Sequence, residues 1–389
     1  MGNVLSKFRR LSIGAEKPSR YPDLPEELMV EIMSWLPPES LIRFKCVCKS
    51  WHALISALSC NPTFVAKHLR NANNKILLSA SLGYSNPTER LSLLTIFGYD
   101  HDENDNIRCV TKALNLPIDP AMKFVSFYHC DGIICIASDD PNVVLFNPAI
   151  NESRVLPQSG LLDNCCIMDT GFGYDCRAND YKVVRFGYNI NEPGFDRKAE
   201  VYSLGTDSWR EIERQIQFNG SFKDEEVYCK GVYYWRKADH NHMILSFDMS
   251  GEVFRRIPLP ANLQDLSLDL NIRLAVWNES VAFFYLPYEW EDPRVIEVFG
   301  MDDRVGGGAR GSCNWIKHLR IRPIEGIISP WTFWKNDELL MVGGLSSNEV
   351  LVSYNLRSKK IRILQIYVEL GWYFGFLYVG SLVSVRRTE

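Results

Sequence analysis

Residues 199–212 read AEVYSLGTDSWREI: an apolar run ends in Tyr202, a polar turn follows, and Trp209 restores an apolar position seven residues after the tyrosine. Apolar and aromatic runs broken by Gly, Asn and Asp are typical of β-strands joined by tight turns. The same order of features occurs six times, each time with an aromatic residue just before the turn. These residues are Phe97, Phe146, Tyr202, Phe247, Phe299 and Tyr354.

The spacing of these copies predicts the fold. Consecutive aromatic residues lie 49, 56, 45, 52 and 55 positions apart, close to the period of about 50 residues of kelch-type propeller blades. A second apolar run precedes four copies, at residues 132–137, 231–235, 280–285 and 338–342. Each copy is therefore expected to be a small antiparallel sheet, with about six sheets in a β-propeller that protects their edges. A large irregular β-sandwich is the alternative.

The region before residue 70 has a helical pattern instead. Residues 26–36, EELMVEIMSWL, carry apolar side chains at the i, i+4, i+7 and i+8 positions of one helix face, between Pro25 and a pair of prolines. A second periodic run extends from Leu41 to Ile55, and a third helix is expected to begin near Pro62. Three short helices bury little by themselves, so this unit is expected to lean on a partner or on the rest of the chain.

The chain is thus expected to be an α+β protein of several domains. Residues 1–20 form a basic, flexible tail, residues 21–69 a helical domain and residues 70–389 the propeller. The 43 basic and 47 acidic side chains sum to −4, but the tail alone carries +4, residues 21–70 are neutral, and the remainder carries −8. An acidic body argues against nucleic-acid binding and favours basic protein partners.

The eleven cysteines are expected to be reduced, in a cytoplasmic or nuclear protein. The N-terminus has no apolar signal segment, the number of cysteines is odd, and no C-x-x-C occurs. The uncharged stretch from Leu370 to Val385 is too short for a membrane-spanning helix of roughly 20 residues, which favours a strand.

No motif predicts catalysis, a cofactor or a metal site. Residues 306–311 match G-x-G-x-x-G, but they follow two aspartates and precede an apparent strand rather than a helix, so a loop is favoured over a dinucleotide site. His240 and His242 have no third ligand at suitable spacing, which favours a solvated turn over zinc binding. We therefore expect a protein that is not an enzyme and uses no cofactor.

Acidic residues cluster at several expected turns and could steer a basic partner, although charged turns also serve solubility alone. Tryptophan is enriched at interaction hot spots and in propeller cores alike. The candidate target-binding residues are Asp100, Asp102, Glu103, Asp224, Glu225, Glu226, Glu289, Trp290, Glu291 and Asp292.

The first six residues, MGNVLS, fit the pattern for N-myristoylation at Gly2. One acyl chain anchors a protein only weakly, but Lys7, Arg9 and Arg10 would add attraction to an anionic membrane. A disordered basic tail with an accidental Gly2 is the alternative. Membrane association of part of the protein is expected only if Gly2 is acylated.

Residues 21–69 resemble an F-box, with Leu24-Pro25, Ile32, Leu36-Pro37, Leu41, Arg43, Phe44, Val47 and Trp51 at the positions of that motif. The rest of the chain is similar to the plant F-box-associated interaction domain, most of all to the variant found in S-locus F-box proteins. The similarity rests on GFGYD (171–175), DYKVVR (180–185), VYSLGTDSWREI (201–212) and LVSYNLRSKKI (351–361).

The resemblance implies a non-catalytic substrate receptor of an SCF-type E3 ubiquitin ligase. The F-box would dock on a Skp-type adaptor, which joins a cullin and a RING subunit, while the propeller holds a protein target such as a pistil S-RNase in self-incompatibility. A receptor for another plant protein and a membrane-tethered scaffold that degrades nothing are the alternatives. The adaptor-binding residues, expected to be exposed, are Leu24, Pro25, Leu28, Ile32, Leu36, Pro37, Leu41, Val47 and Trp51.

Overall fold

The computed structural model describes residues 25–72, 74–80, 90–97, 108–118, 125–138, 142–159, 165–189, 197–212, 221–238, 243–264, 271–287, 295–302, 314–335, 337–345, 348–368 and 373–386. Its first part is helical and contains α1 (Glu26–Trp35), α2 (Pro38–Phe44), α3 (Lys49–Ser59) and α4 (Pro62–Asn71). Helix α4 starts at Pro62 as predicted, because the Asn61 side chain accepts hydrogen bonds from the backbone N–H groups of Thr63 and Phe64.

The prediction of one continuous periodic run from Leu41 to Ile55 is wrong. Residues 45–47 form a turn, and Cys48 has an extended backbone (φ −161°, ψ 168°), so the run is divided between α2 and α3. The described part of the unit, residues 25–72, therefore has four short helices rather than three. No Gly or Pro lies between Phe44 and Lys49, so the sequence carries no local signal for this break.

The remaining described residues form six four-stranded antiparallel sheets, and the small helix α5 (Ala261–Gln264) lies between two of them. We call the sheets blades and number them in chain order. Blade 1 contains β1 (Asn74–Ala80), β2 (Arg90–Phe97) and β3 (Arg108–Ala113), and blade 2 contains β4 (Val125–Cys130), β5 (Ile133–Ser138), β6 (Val143–Asn147) and β7 (Glu152–Val155). Blade 3 contains β8 (Cys165–Asp175), β9 (Asp180–Asn189), β10 (Arg197–Ser203) and β11 (Ser208–Glu211).

Blade 4 contains β12 (Ser221–Cys229), β13 (Val232–Ala238), β14 (Met243–Asp248) and β15 (Val253–Pro258). Blade 5 contains β16 (Asn271–Trp277), β17 (Ser280–Leu286), β18 (Ile296–Asp302) and β19 (Asn314–Ile321). Blade 6 contains β20 (Ile327–Lys335), β21 (Glu338–Leu345), β22 (Asn348–Asn355) and β23 (Ile361–Val368). The final strand, β24 (Tyr373–Val379), pairs with β1 and completes blade 1.

The blades form a closed ring. The strands β24, β4, β8, β12, β16 and β20 contact one another in this order, and β20 contacts β24 again. These are the innermost strands, and each of the six repeated aromatic residues lies in the third strand of a blade counted from the inside. The predicted fold class, short helices followed by a mainly antiparallel β-propeller, is therefore confirmed.

The core lies between neighbouring blades. The Trp235 side chain is fully buried, packs edge-to-face on Phe186 of blade 3, and donates a hydrogen bond from Nε1 to the carbonyl oxygen of Thr170 at 3.1 Å. On the other side of blade 4, Arg236 donates to the carbonyl oxygen of Ile272 at 2.9 Å. Polar bonds thus join blade 4 to both of its neighbours within a largely apolar core.

Candidate functional site

Three large apolar side chains of α1 are exposed on one face of the helix, and we call them the apolar face. Leu28, Ile32 and Trp35 occupy the i, i+4 and i+7 positions of α1 and are 52%, 51% and 64% exposed, while Val47 in the turn after α2 is 65% exposed. The Trp35 indole donates from Nε1 to Glu31 Oε1 at 3.1 Å, which holds the ring on the helix surface. Large apolar side chains grouped at a surface mark a site of association with another molecule.

The predicted adaptor-binding residues fall into several groups. Pro25 and Pro37 are exposed, Leu36 is partly buried, and Trp51 packs edge-to-face on Phe44 with ring centroids 5.4 Å apart. Leu24 lies outside the described residues. Trp35 is not among the predicted adaptor-binding residues, although its place seven residues after Leu28 puts both side chains on one face of the helix.

The expectation that Leu41 is exposed is wrong. Its side chain is buried among Met33, Leu54, Ile55 and other apolar residues of the helical unit. The reason is that α1, α2 and α3 pack together around Leu41, since short helices form a stable unit only by burying apolar side chains between them. Leu41 therefore lies inside the unit, whereas Val47, in the turn after α2, lies outside.

The helical unit is fixed to the propeller by residues 380–386, which follow β24 and which we call the strap. Leu382 of the strap is buried in the apolar cluster of the helices, and Ile150 of blade 2 packs against the same cluster. A Cβ atom on Gly380 would lie 3.1 Å from Pro38 Cγ, so the strap approaches the first turn of α2 closely. The two units therefore share one apolar core.

Asn147 at the end of β6 holds the strap in place. Its buried Nδ2 donates to the carbonyl oxygens of Ser381 and Val383, at 3.2 and 2.8 Å. Val385 is buried in the propeller core, two residues beyond the second of these bonds. The strap thus packs into the helices at one residue and into the blades at others.

His68 joins the last helix to the first. The His68 side chain is buried, and its Nε2 donates to the carbonyl oxygen of Leu36 at 2.8 Å, next to the C-terminus of α1. Burial lowers the pKa of this imidazole, because a charged ring is poorly solvated there. A neutral His68 therefore serves to pack the helices together.

Most of the acidic candidates lie outside the part of the chain that the structure describes. These are Asp100, Asp102, Glu103 and residues 289–292. Their role in target binding therefore stays a prediction.

The prediction that residues 224–226 form a turn is also wrong. They lie in β12, the innermost strand of blade 4, where Glu226 is paired with Trp235 and partly buried. A bulge between Phe222 and Glu226 interrupts the pairing. Glu226 therefore belongs to a blade, and an acidic rim formed by the other clusters stays a prediction.

The structure does not describe the remaining sequence motifs. Gly2, His240, His242 and residues 306–311 lie outside the described part of the chain. Among the residues that are described, no three His, Cys, Asp or Glu side chains are grouped so as to hold a metal ion. Within the same residues no helix has the length and apolar character to cross a membrane.

A short helical unit with an exposed apolar face, fixed to a β-propeller, defines a protein built of two units. Comparison with known families identifies both of them. Residues 22–62 match the F-box domain, and residues 80–385 match the F-box associated beta propeller domain. The chain therefore belongs to the F-box proteins with an F-box-associated β-propeller.

Several proteins of Arabidopsis thaliana are similar to the chain. A putative F-box protein is 29% identical over 274 residues, which cover 67% of this chain and 68% of that protein. A second putative F-box protein is 25% identical over 396 residues, covering 94% and 95%. A putative F-box/kelch-repeat protein is 26% identical over 273 residues, covering 68% of both chains.

Solved structures with a similar fold are more distant. One from the crystal structure of a nidogen/laminin complex has a TM-score of 0.44 and 10% identity, covering 79% of this chain and 100% of that chain. TolB from Acinetobacter baumannii has a TM-score of 0.42 and 9% identity, covering 78% and 66%. Likenesses at this distance concern the fold alone.

Proposed function

We propose that the chain is the substrate receptor of an SCF-type ubiquitin ligase and does no chemistry itself. The F-box binds a Skp-type adaptor, which brings a cullin and a RING subunit, and the propeller holds a protein target. The apolar face carries this proposal. Because about half of each side chain is already buried, complete burial by an adaptor would gain roughly 1–2 kcal/mol for each of them.

The strap supports a receptor rather than a flexible tether. Because Leu382 and Ile150 pack into the helical cluster, the adaptor-binding unit keeps one orientation relative to the blades. A target on the propeller would then be held at a fixed distance from the ubiquitin-loaded enzyme. Such fixed placement raises the effective concentration of the target's lysines.

The variant Ile32→Asp tests adaptor binding, with Ile363→Asp as its matched control. Both isoleucines are more than half exposed, but Ile363 lies on β23, away from the F-box. We expect Ile32→Asp to bind a purified plant Skp-type adaptor at least about tenfold more weakly, because it buries a charge in an apolar interface. Ile363→Asp is expected to bind like the wild type. Equal affinity of Ile32→Asp and the wild type would overturn the F-box role.

A finer part of the proposal concerns the target. The −8 charge after residue 70 favours a basic guest, and the pistil S-RNase of self-incompatibility is one protein of that kind. Binding of a purified S-RNase should weaken as salt is raised, and an acidic protein of similar size should not bind. Transfer of ubiquitin to the bound protein in a reconstituted ligase would support a receptor, whereas binding without transfer would favour the scaffold.

A further inference from the structure

A groove of about 560 Å³ runs along the outer edge of blade 3. One wall is the segment 157–159, which leaves blade 2, and the other is the segment 207–211, which contains all of β11. Glu200 lies between the walls. The groove thus has two extended stretches of backbone as its sides.

The register of β11 shows which of its backbone groups point into solvent. Ile212 donates its N–H to the carbonyl oxygen of Ala199 at 2.8 Å, and Arg210 and Ser208 are paired with Val201 and Ser203. Hydrogen-bonded pairs alternate along an antiparallel ladder, so the N–H and C=O groups of Ser208 and Arg210 point to β10. Those of Trp209 and Glu211 point the other way. Because β11 is the outermost strand of its blade, they face no strand in the described part of the chain.

The wall of the groove at Trp209 is held firmly. The indole Nε1 donates to the carbonyl oxygen of Pro157 at 2.7 Å, and the Arg185 guanidinium lies 4.1 Å from the ring centroid. Arg185 is itself paired with buried Glu200 at 2.6 Å, and Glu200 accepts a hydrogen bond from Ser159. A binding partner would therefore meet a surface that needs little ordering.

The charges along the groove are balanced except at one residue. Glu200 is paired with Arg185, Asp207 with Arg154 at 2.5 Å, and Arg210 with Glu252. Glu211 is exposed and is the one acid of the groove lining with no ion pair among the residues that the structure describes. Its side chain alternates with Arg210 and lies on the same face of β11 as Trp209.

We infer that this groove binds an extended peptide segment of a protein target, which adds a fifth strand beside β11. Main-chain bonds to Trp209 and Glu211 would supply affinity, and the side chains on the groove face would supply specificity. In an antiparallel arrangement, a basic residue lies opposite Glu211 and an apolar, β-branched residue two positions later lies against Trp209 and Pro157. The recognised pattern is basic-x-apolar. The inference rests on the proposed function, since it names a surface through which the target is held.

The pentapeptide acetyl-Thr-Lys-Thr-Val-Thr-amide, labelled with a fluorophore, is the probe. Fluorescence anisotropy with the full chain should show saturable binding. The peptide with Glu in place of Lys should bind about fivefold more weakly, as expected for an exposed pair of opposite charges. The peptide methylated on the valine nitrogen should not bind, because it lacks the N–H that pairs with Trp209. No binding of the Lys peptide, or equal binding of all three peptides, would overturn the inference.

Charge reversal in the protein provides the second test. Glu211→Lys should weaken binding of the Lys peptide and strengthen binding of the Glu peptide, about fivefold in each direction. Glu325→Lys is the matched control, since Glu325 is an exposed acid before β20 in blade 6, and it should bind both peptides like the wild type. Equal effects of the two variants would show a general charge effect and overturn the site. Ile32→Asp should leave peptide binding unchanged, so failure of adaptor binding is distinguishable from failure here.

Discussion

The helical unit and the propeller complete their structures in opposite ways. The propeller closes on itself, because β24 pairs with β1 and brings the last innermost strand back to the first blade. The helical unit exposes its apolar face and takes Leu382 from the strap into its own core. A closed ring needs no partner, whereas the helices have apolar surface left over for one. The comparison separates a part of the chain that covers its apolar surface from a part that still exposes some of it.

A substitution that separates blade 2 from the strand that closes the ring should have the largest effect on the free energy of unfolding. Gly132 has φ +81°, and a Cβ there would lie 2.5 Å from the carbonyl oxygen of Val379 and 2.6 Å from Ser381 Oγ. We expect Gly132→Val to lower the free energy of unfolding by about 4 kcal/mol or more, since a positive φ and a clash with backbone add together. Urea denaturation measures this.

The glycine Gly251 provides the control for that experiment. A Cβ on Gly251 would lie 3.4 Å from Asp248, which is an ordinary contact, and its φ is not positive. Gly251→Ala should therefore change the free energy of unfolding by less than about 1 kcal/mol. If Gly132→Val were as mild as Gly251→Ala, the close approach of blade 2 to the end of β24 would be wrong.

Two leucines of the helical unit, one buried and one exposed, should differ in their effect on stability. Leu41→Ala should destabilise the unit by about 3 kcal/mol, because Leu41 is 1% exposed and its loss leaves a cavity. Leu28→Ala should change stability by about 0.5 kcal/mol or less but weaken adaptor binding. Hydrogen exchange of α2 and α3 reports the first effect, and titration with the adaptor reports the second. A reversed pattern would mean that the inside and outside of the unit are exchanged.

Protonation of Asp175 in the propeller at acid pH is expected to have the smallest effect on the free energy of unfolding. Burial acts to raise the pKa of Asp175, but hydrogen bonds from Lys182 at 2.6 Å, from Ser250, and from the backbone N–H groups of Ala178 and Arg177 outweigh it and lower the pKa to about 2. An unfolded aspartate titrates near about 3.9. The folded carboxylate is thus favoured above pH 4, and this stabilisation is lost as the pH falls towards 2.

The variant Asp175→Asn lacks this titration. Between pH 5 and pH 3 its free energy of unfolding should fall by about 1 kcal/mol less than that of the wild type. Urea denaturation at the two pH values gives the difference. Identical pH dependence of the two proteins would contradict the ion pair with Lys182.

The propeller could be predicted from the sequence because each blade repeats the same physical requirement. A strand buried between two blades must be apolar on both faces, and the turn after it must be polar. The sequence therefore repeats an aromatic residue before each turn and an apolar residue after it. Tyr202 and Trp209 are such a pair and lie directly opposite each other on β10 and β11. The exposure of Leu28 and Ile32 could likewise be predicted, since a helix with more apolar surface than its unit can bury must expose some of it.

The contacts that the sequence did not reveal join residues far apart in the chain. Leu382 lies among helices more than 300 positions away, and no local pattern marks it as part of their core. The stretch from Leu370 to Val385 predicted a strand, and β24 confirms this, but the role of the following strap was not foreseen. The break between α2 and α3 at Cys48 depends on how the helices pack. Which backbone groups of β11 point away from β10 depends on its register with that strand. Neither can be predicted from the local pattern of residues.

The strap has a consequence for synthesis of the protein on the ribosome. The helices emerge first, but Leu382, which fills their core, emerges only after every blade has been made. The strap directly follows the strand that closes the ring and contains the residue that fills the core of the helices. A nascent chain stopped before β24 would therefore lack both, so its ring would be open and its helices would lack Leu382.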